Sequence, residues 1–275
     1  MVKAGHPTLS SYSLDLLSRG RITFSRTEAE HALGVGRGAF WDAAERLQHK
    51  GRLVKPRQGF YVVVPEQFRS WGAPPPSWYI DDLMQREGHP YYVGLLKAAE
   101  LHGAAHQAVM QFQVITDRRM PEIHAGRSLI GFYYRRDMAA VANAIEDRKT
   151  DTGKMKISSA ALTAFDLLRY PRAAGGLDHT VGVLSELAEA INPRKLAALA
   201  PVFERPVTQR LGYLLEHSGR ADLTKVLHRH LARNTPGPWV ELDPMSAGDP
   251  DLSPAPTERN ERWRVIVRRA PEADA

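Results

Sequence analysis

Several groups of residues have types and spacings that could do chemistry. His102 and His106 stand four apart, which puts two imidazoles on one helical face as a metal would need, with Glu100 nearby. The segment His102-Gly103-Ala104-Ala105-His106 nevertheless lacks the glutamate that a zinc protease sets beside its first histidine, and it has no obvious third ligand, so surface or interface histidines are expected. His228 and His230 are two apart and face different sides of a helix. Gly34, Gly36 and Gly38 resemble a phosphate loop only superficially: they follow a helical segment, lack the Lys-Ser/Thr of a P-loop and miss the GxGxxG spacing, so a turn accounts for them. Asp81-Asp82 sits at a helix start, where the dipole favours acids, and Asp249 with Asp251 lies in a Pro-rich loop where solvation suffices. Ser159 reads as a helix N-cap after Ser158, and Asp166 falls seven residues later among Phe165, Leu167 and Leu168, a structural placement. A nuclease or transferase would need a tighter acidic cluster. The expectation is a protein that is not an enzyme, with no catalytic residue, no metal and no cofactor.

Binding chemistry remains, and the charge distribution locates it. The chain carries +6 overall. Residues 1–64 hold ten Lys/Arg against five Asp/Glu, so +5 of that total lies there and the other 211 residues are nearly neutral. A small basic module beside a larger neutral part suggests that the first binds a polyanion.

The elements that would position those charges are legible. Leu9, Tyr12, Leu16 and Leu17 repeat at helical spacing over residues 8–19. Ser25-Arg26-Thr27-Glu28 is a capping box, with Phe24 placed to staple onto Ala29, opening a helix over 26–33. After the Gly34-Val35-Gly36 turn, Phe40, Ala44 and Leu47 form the apolar stripe of a third helix that stops at Gly51. Arg52-Leu53-Val54 and Phe60-Tyr61-Val62-Val63-Val64 are strand-like runs around Lys55-Pro56-Arg57-Gln58-Gly59. Two helices joined by a tight turn, then a basic hairpin, predict a winged helix-turn-helix.

In that reading the third helix presents Arg37, Gly38, Trp41 and, further on, Glu45 or Arg46 to the major groove. Arg37 is the best base reader, because its fork pairs bidentately with guanine. Arg26, Thr27 and Arg46 suit phosphates, Lys50 extends the set at the helix end, and Lys55 with Arg57 at the wing tip suits the flanking backbone or minor groove. Trp41 has two readings, contact with a thymine methyl or sugar, or packing beneath the wing. Winged helices also serve as protein-protein modules, in which case the charged wing is a solvated turn.

Residues 67–76, with Trp71-Gly72-Ala73-Pro74-Pro75-Pro76, are a semi-rigid linker between a domain at 1–66 and another at 77–275. Helices are expected over 78–86 and 91–101, strands over 108–116 and 128–135, and a short helix over 138–147. Residues 158–232 are helical throughout, 243–258 form a loop, and Trp263, Val265 and Val267 alternate with Arg262, Arg264 and Ile266 in a strand with a basic outer edge. The fold class expected is α+β, an N-terminal winged helix-turn-helix followed by a larger mixed, mainly helical C-terminal domain. Hydrophobic residues at 43% exclude disorder, and the absence of cysteine removes disulfides, thiol nucleophiles and cysteine-ligated metals. With no apolar signal segment and no run long enough to span a bilayer, a soluble cytoplasmic protein is expected.

Read together, Leu33-Gly34-Val35-Gly36-Arg37 through Gly59-Phe60-Tyr61, Gly88-His89-Pro90-Tyr91-Tyr92-Val93-Gly94-Leu95-Leu96-Lys97-Ala98-Ala99-Glu100-Leu101-His102-Gly103, and Ser158-Ser159-Ala160-Ala161-Leu162-Thr163-Ala164-Phe165-Asp166 resemble, in order, the AbiEi family of antitoxins from bacterial abortive-infection toxin-antitoxin systems. The likeness covers roughly residues 8–235. It implies an N-terminal domain that binds double-stranded operator DNA and represses its own operon, and a C-terminal domain that neutralises a cognate nucleotidyltransferase-type toxin. Arg135, Arg136, Arg262, Arg264 and Arg268 are nominated as exposed basic residues for an antitoxin or second basic surface, the last three outside the matched region. The alternative is a ligand-responsive winged-helix repressor without a toxin partner, which needs a pocket within residues 77–275.

Overall fold

The computed structural model describes residues 8–104, 109–232, 237–245 and 254–271 of a mixed α and β chain; His106, Asp249 and Asp251 lie outside the described residues. Two compact units divide it, one made of Met1–Tyr91, Met110–Arg136 and Asp147–Lys156, the other of Tyr92–Val109, Asp137–Glu146 and Ile157–Ala275. Residues 67–76 fall inside the first unit. They form two short 3-10 helices, Glu66–Trp71 and Pro76–Trp78, whose Phe68 and Trp78 rings meet edge to face at 5.0 Å. The carbonyl of Trp71 accepts from the amide of Arg127 at 2.8 Å, so the prolines stiffen a packed segment.

The first unit begins with α1 (Leu9–Ser18), β1 (Thr23–Ser25), α2 (Arg26–Leu33), α3 (Arg37–His49), β2 (Leu53–Arg57) and β3 (Phe60–Val63), the strands ordered β1-β3-β2. The expected capping box is present: the Ser25 hydroxyl accepts from the Glu28 amide at 3.1 Å, and the Glu28 carboxylate accepts from the Ser25 amide at 3.3 Å. α2 ends at Gly34, whose φ of 64° is the left-handed conformation that a side chain disfavours. The three helices enclose one core with the small sheet, built around Phe24, Phe40 and Tyr61. Phe24 stacks on Tyr61 at 5.5 Å while Phe40 meets the same ring edge-on at 5.3 Å. Burial lifts the Tyr61 hydroxyl above its ordinary range, so it stays neutral. The hairpin β2–β3 carries a bulge between Val54 and Arg57, at Lys55-Pro56, where a residue lacking an N–H is tolerated in a strand.

A mixed sheet of six strands follows, in the order β6-β7-β5-β4-β9-β8, from β4 (Tyr91–Val93), β5 (Gln111–Thr116), β6 (Ile123–Ala125), β7 (Ser128–Tyr134), β8 (Ile145–Thr150) and β9 (Gly153–Ser158). α4 (Ile80–Glu87) precedes it, close to the expected 78–86. The structure departs from the sequence pattern at two places. The helix expected over 91–101 starts as strand β4, because Tyr91-Tyr92-Val93 is aromatic and β-branched, and only Leu95–Leu101 after Gly94 is helical. The short helix expected over 138–147 is a 3-10 turn at Ala139–Ala144 that passes into β8.

The second unit is chiefly helical: α5 (Leu95–Leu101), α6 (Ala160–Arg169), α7 (Leu177–Leu187), α8 (Pro193–Leu199), α9 (Arg205–His217) and α10 (Ala221–Ala232), with β10 (Val240–Glu241), β11 (Glu258–Asn260) and β12 (Val265–Val267) in the order β10-β12-β11. α6 is apolar on every side and buried from Ala160 to Leu168, as the centre of a helical core must be. Ser159 caps it by accepting from the Leu162 amide, and the buried Asp166 accepts from the Tyr92 hydroxyl at 2.7 Å, so both are structural. Gly212 on α9 leaves room for the buried Trp263 ring, which an added Cβ would approach to 2.1 Å. Among the described residues no helix is long and apolar enough to cross a membrane.

Two substitutions test this packing. Ser25→Ala removes one cap of α2 and should cost about 1 kcal/mol, read as faster hydrogen exchange along that helix. Gly212→Ala forces a methyl into the Trp263 ring and should cost about 1–3 kcal/mol, with an altered Trp fluorescence signal and a lower urea midpoint.

Candidate nucleic-acid interface

α3 divides into two faces because its apolar residues recur at helical spacing. Phe40, Ala44 and Leu47 are buried in the core just described, which turns Arg37, Trp41, Glu45, Arg46, His49 and Lys50 outward. Its first turn has no side-chain cap, since Gly36 stands at the N-cap, so the backbone N–H groups there are left for outside partners. The Arg37 guanidinium lies 4.4 Å from the centroid of the Trp41 ring one turn on. Trp41 is 43% exposed and forms part of the wall of a groove of about 550 Å3 between α3 and the β2–β3 hairpin. The ring is thus not buried beneath the hairpin. Gln48, His49, Lys55 and Gln58 share that wall. Gln48 and His49 carry no fixed positive charge to mark them in the sequence, although the helical period places Gln48 one further turn beyond Glu45 and on Trp41's side.

The flanking candidates fall into distinct environments. Thr27 is exposed and its hydroxyl lies 3.1 Å from that of Ser25. Arg26 is half-buried, with its guanidinium 3.7 Å from the Glu30 carboxylate. Arg46, Lys50 and Lys55 are exposed. Arg57 is different. Its guanidinium donates to the Pro121 carbonyl at 2.6 Å and lies 5.7 Å from the Phe132 ring centroid, within the same unit. Arg86 reaches the Gln58 carbonyl at 3.4 Å and passes so close to Gly59 that a Cβ there would meet its Nη2 at 2.9 Å. Arg57 and Gly59 are therefore held against protein while the side chains of Lys55 and Gln58 stay exposed, and the bulge at Lys55-Pro56 separates two basic residues that simple alternation would leave side by side.

The second group of basic residues is corrected more strongly. Arg135, expected to be exposed, is 2% exposed, because β7 ends at Tyr134 and the pleat turns the next residue inward; Arg136 is exposed. Arg262 pairs with Glu216. Arg268 donates to both carboxylate oxygens of Glu241, at 2.8 and 3.1 Å, and to the Pro254 carbonyl at 2.6 Å. Arg264 packs its guanidinium 5.2 Å from the Trp239 centroid. The basic strand edge seen in the sequence is thus largely offset by acids from α9 and β10, which are distant in sequence. Among the described residues no group of three His, Asp or Glu could hold a metal ion.

Comparison with known proteins bears on both ends of the chain. Residues 12–64 match the family described as transcriptional regulator, AbiEi antitoxin, and residues 92–217 match the AbiEi antitoxin C-terminal domain. No curated protein matches the chain. The crystal structure of the RV2827C protein from Mycobacterium tuberculosis is similar over 96% of this chain and 94% of that one, with a TM-score of 0.68 at 16% identity, a likeness of fold alone.

The two hairpin cations should separate in a stability measurement. Arg57→Ala loses a charge-assisted hydrogen bond and should lower stability by about 1–3 kcal/mol, whereas Lys55→Ala should stay within about 0.5 kcal/mol in urea unfolding.

Proposed function

Because the chain belongs to the AbiEi family of antitoxins and transcriptional regulators, we propose that residues 1–66 act as a winged helix-turn-helix on double-stranded operator DNA, repressing the protein's own operon, and that the remainder neutralises a cognate nucleotidyltransferase-type toxin. The observation that carries the DNA reading is α3 itself, with one face locked into the core and the other, from Arg37 to Lys50, open and basic at both ends.

In this reading phosphates fix the register and α3 reads bases. Arg37 must leave the Trp41 face to reach guanine, which forfeits a contact worth about 0.5–1 kcal/mol at an exposed site and gains a bidentate pair worth about 1–3 kcal/mol, so the exchange favours the base. Trp41 then offers its ring to a thymine methyl or sugar, and Glu45 can accept from cytosine. Arg26, Thr27, Arg46, Lys50 and Lys55 supply phosphate contacts around this centre. Arg57 has no place in this set while it is engaged with Pro121. No catalytic step enters the reading; the protein acts by occupying DNA and toxin.

The test is a binding titration of the full chain against its own upstream DNA and a scrambled duplex at two salt concentrations. Arg37→Ala should cost about 1–3 kcal/mol on the upstream DNA and relax specificity, while Lys55→Ala should weaken both duplexes alike and reduce the salt slope by about one unit. Equal losses on both duplexes for Arg37→Ala would remove it as a reader. Expressed from a foreign promoter, the full-length Arg37→Ala chain should still rescue cells from the toxin; failure would mean that neutralisation runs through repression.

A further inference from the structure

In the second unit a cavity of about 290 Å3 is lined by residues that the chain brings together from three places. Arg205 and Gln209 come from α9, His228 from α10, and Arg262, Trp263 and Arg264 from the turn before β12. The lining carries three guanidiniums and one carboxylate, that of Glu261. Arg262 is paired with Glu216, a carboxylate that also accepts from the Trp263 indole N–H. The other two arginines have less to hold. Arg205 donates through Nη2 to the Leu231 carbonyl at 3.2 Å, and no carboxylate lies within ion-pair distance of Arg205 or Arg264 among the described residues.

The polar atoms of this lining are incompletely satisfied. Arg205 Nε, Arg264 Nε and Gln209 Oε1 are buried without a hydrogen-bond partner, two donors and one acceptor. Gln209 is held in place from its other end, its Nε2 donating to the carbonyls of Trp263 at 2.9 Å and Pro238 at 3.2 Å. Among the described residues Arg264 is also one of two non-glycine residues at positive φ, 52°, a conformation that a long side chain adopts only where its surroundings impose it. Such imposed strain, next to unpaired cations in a concave polar site, is the pattern of a binding site.

We propose that this cavity binds a phosphate group, free or as a small phosphomonoester. The arginine forks supply planar donors that match a tetrahedral oxyanion, and His228 adds a ring nitrogen. Gln209 Oε1 needs a donor, which the hydroxyl of hydrogen phosphate or of a singly protonated phosphomonoester provides and sulfate does not. The volume stands at the low end of small-molecule sites, which run from roughly 300 to 1,000 Å3, so it fits a small anion with little attached. The proposal stands independently of DNA binding by residues 1–66.

The experiment uses the full chain, titrated by calorimetry and thermal melting with sodium phosphate, glycerol 2-phosphate, sodium sulfate and sodium chloride at matched ionic strength. Phosphate should bind saturably and raise Tm more than sulfate, with chloride inert; glycerol 2-phosphate displacing phosphate would mean the site takes esters, and failure to displace would restrict it to the free ion. Arg264→Asn keeps a residue that tolerates left-handed backbone but removes the guanidinium, and should weaken phosphate about tenfold or more, the loss expected for one charge-assisted contact. Arg205→Lys, which keeps the charge and loses the fork, should weaken it in the same direction if Arg264→Asn does not fold. Arg229→Gln, an exposed cation on α10 outside the lining, should change nothing. Equal stabilisation by sulfate and phosphate, or undiminished binding in the folded arginine variants, overturns the proposal.

Discussion

The burial of one tyrosine ring fixes the geometry on which the N-terminal three-helix domain depends. Tyr61 projects from β3 into the core, where Phe24 covers its face and Phe40 of α3 abuts its edge. Each of these rings is almost wholly removed from water, and an aromatic pair adds roughly 0.5–1.5 kcal/mol beyond its burial. Because Phe40 cannot leave the cluster without opening a cavity, the rotation of α3 about its own axis is fixed. That rotation decides which residues face outward, and so places Arg37 and Trp41 together on the exposed side.

Charge is treated differently in different parts of the chain, and the difference separates candidate contacts from structural ones. On α3, Arg46 and Lys50 are exposed and add to an outward positive field, the arrangement that speeds encounter with a polyanion. On the strand edge of the second unit, Arg262 and Arg268 meet Glu216 and Glu241, so their charges serve the fold. Arg57 belongs with the latter group despite lying in the basic hairpin, because a carbonyl and an aromatic ring already hold its guanidinium. Net charge along a sequence is thus a count of opportunities, and local partners determine which of them remain.

The second unit follows a separate logic. α6 is apolar around its full circumference and buries the polar groups it does carry, Thr163 and Asp166, with partners at both. Trp263 reaches α9 only because Gly212 has no side chain, and its indole is fixed by Glu216. The turn that delivers Trp263 also delivers Arg262 and Arg264, so the packing of one buried ring assembles the cationic cavity.

The local elements of the N-terminal domain are written in short stretches of sequence. A Ser-x-x-Glu capping box, a glycine in the left-handed turn and an apolar repeat on α3 are short-range signals, written within one or two helical turns, and each forms as read. The helices from α6 to α10 were legible for the same reason, and so was Ser159 as a cap. Strands β1, β6, β8, β9, β10 and β11 carry no local signal of their own, because short strands acquire their identity from neighbours in a sheet, and the Tyr91–Val93 run reads as part of the helix that follows it. The partners of Arg57, Arg135 and Arg268 were equally out of reach. Ion pairs and burial join residues whose separation in sequence carries no pattern, so only the tertiary structure decided which basic side chains face solvent and which are already held.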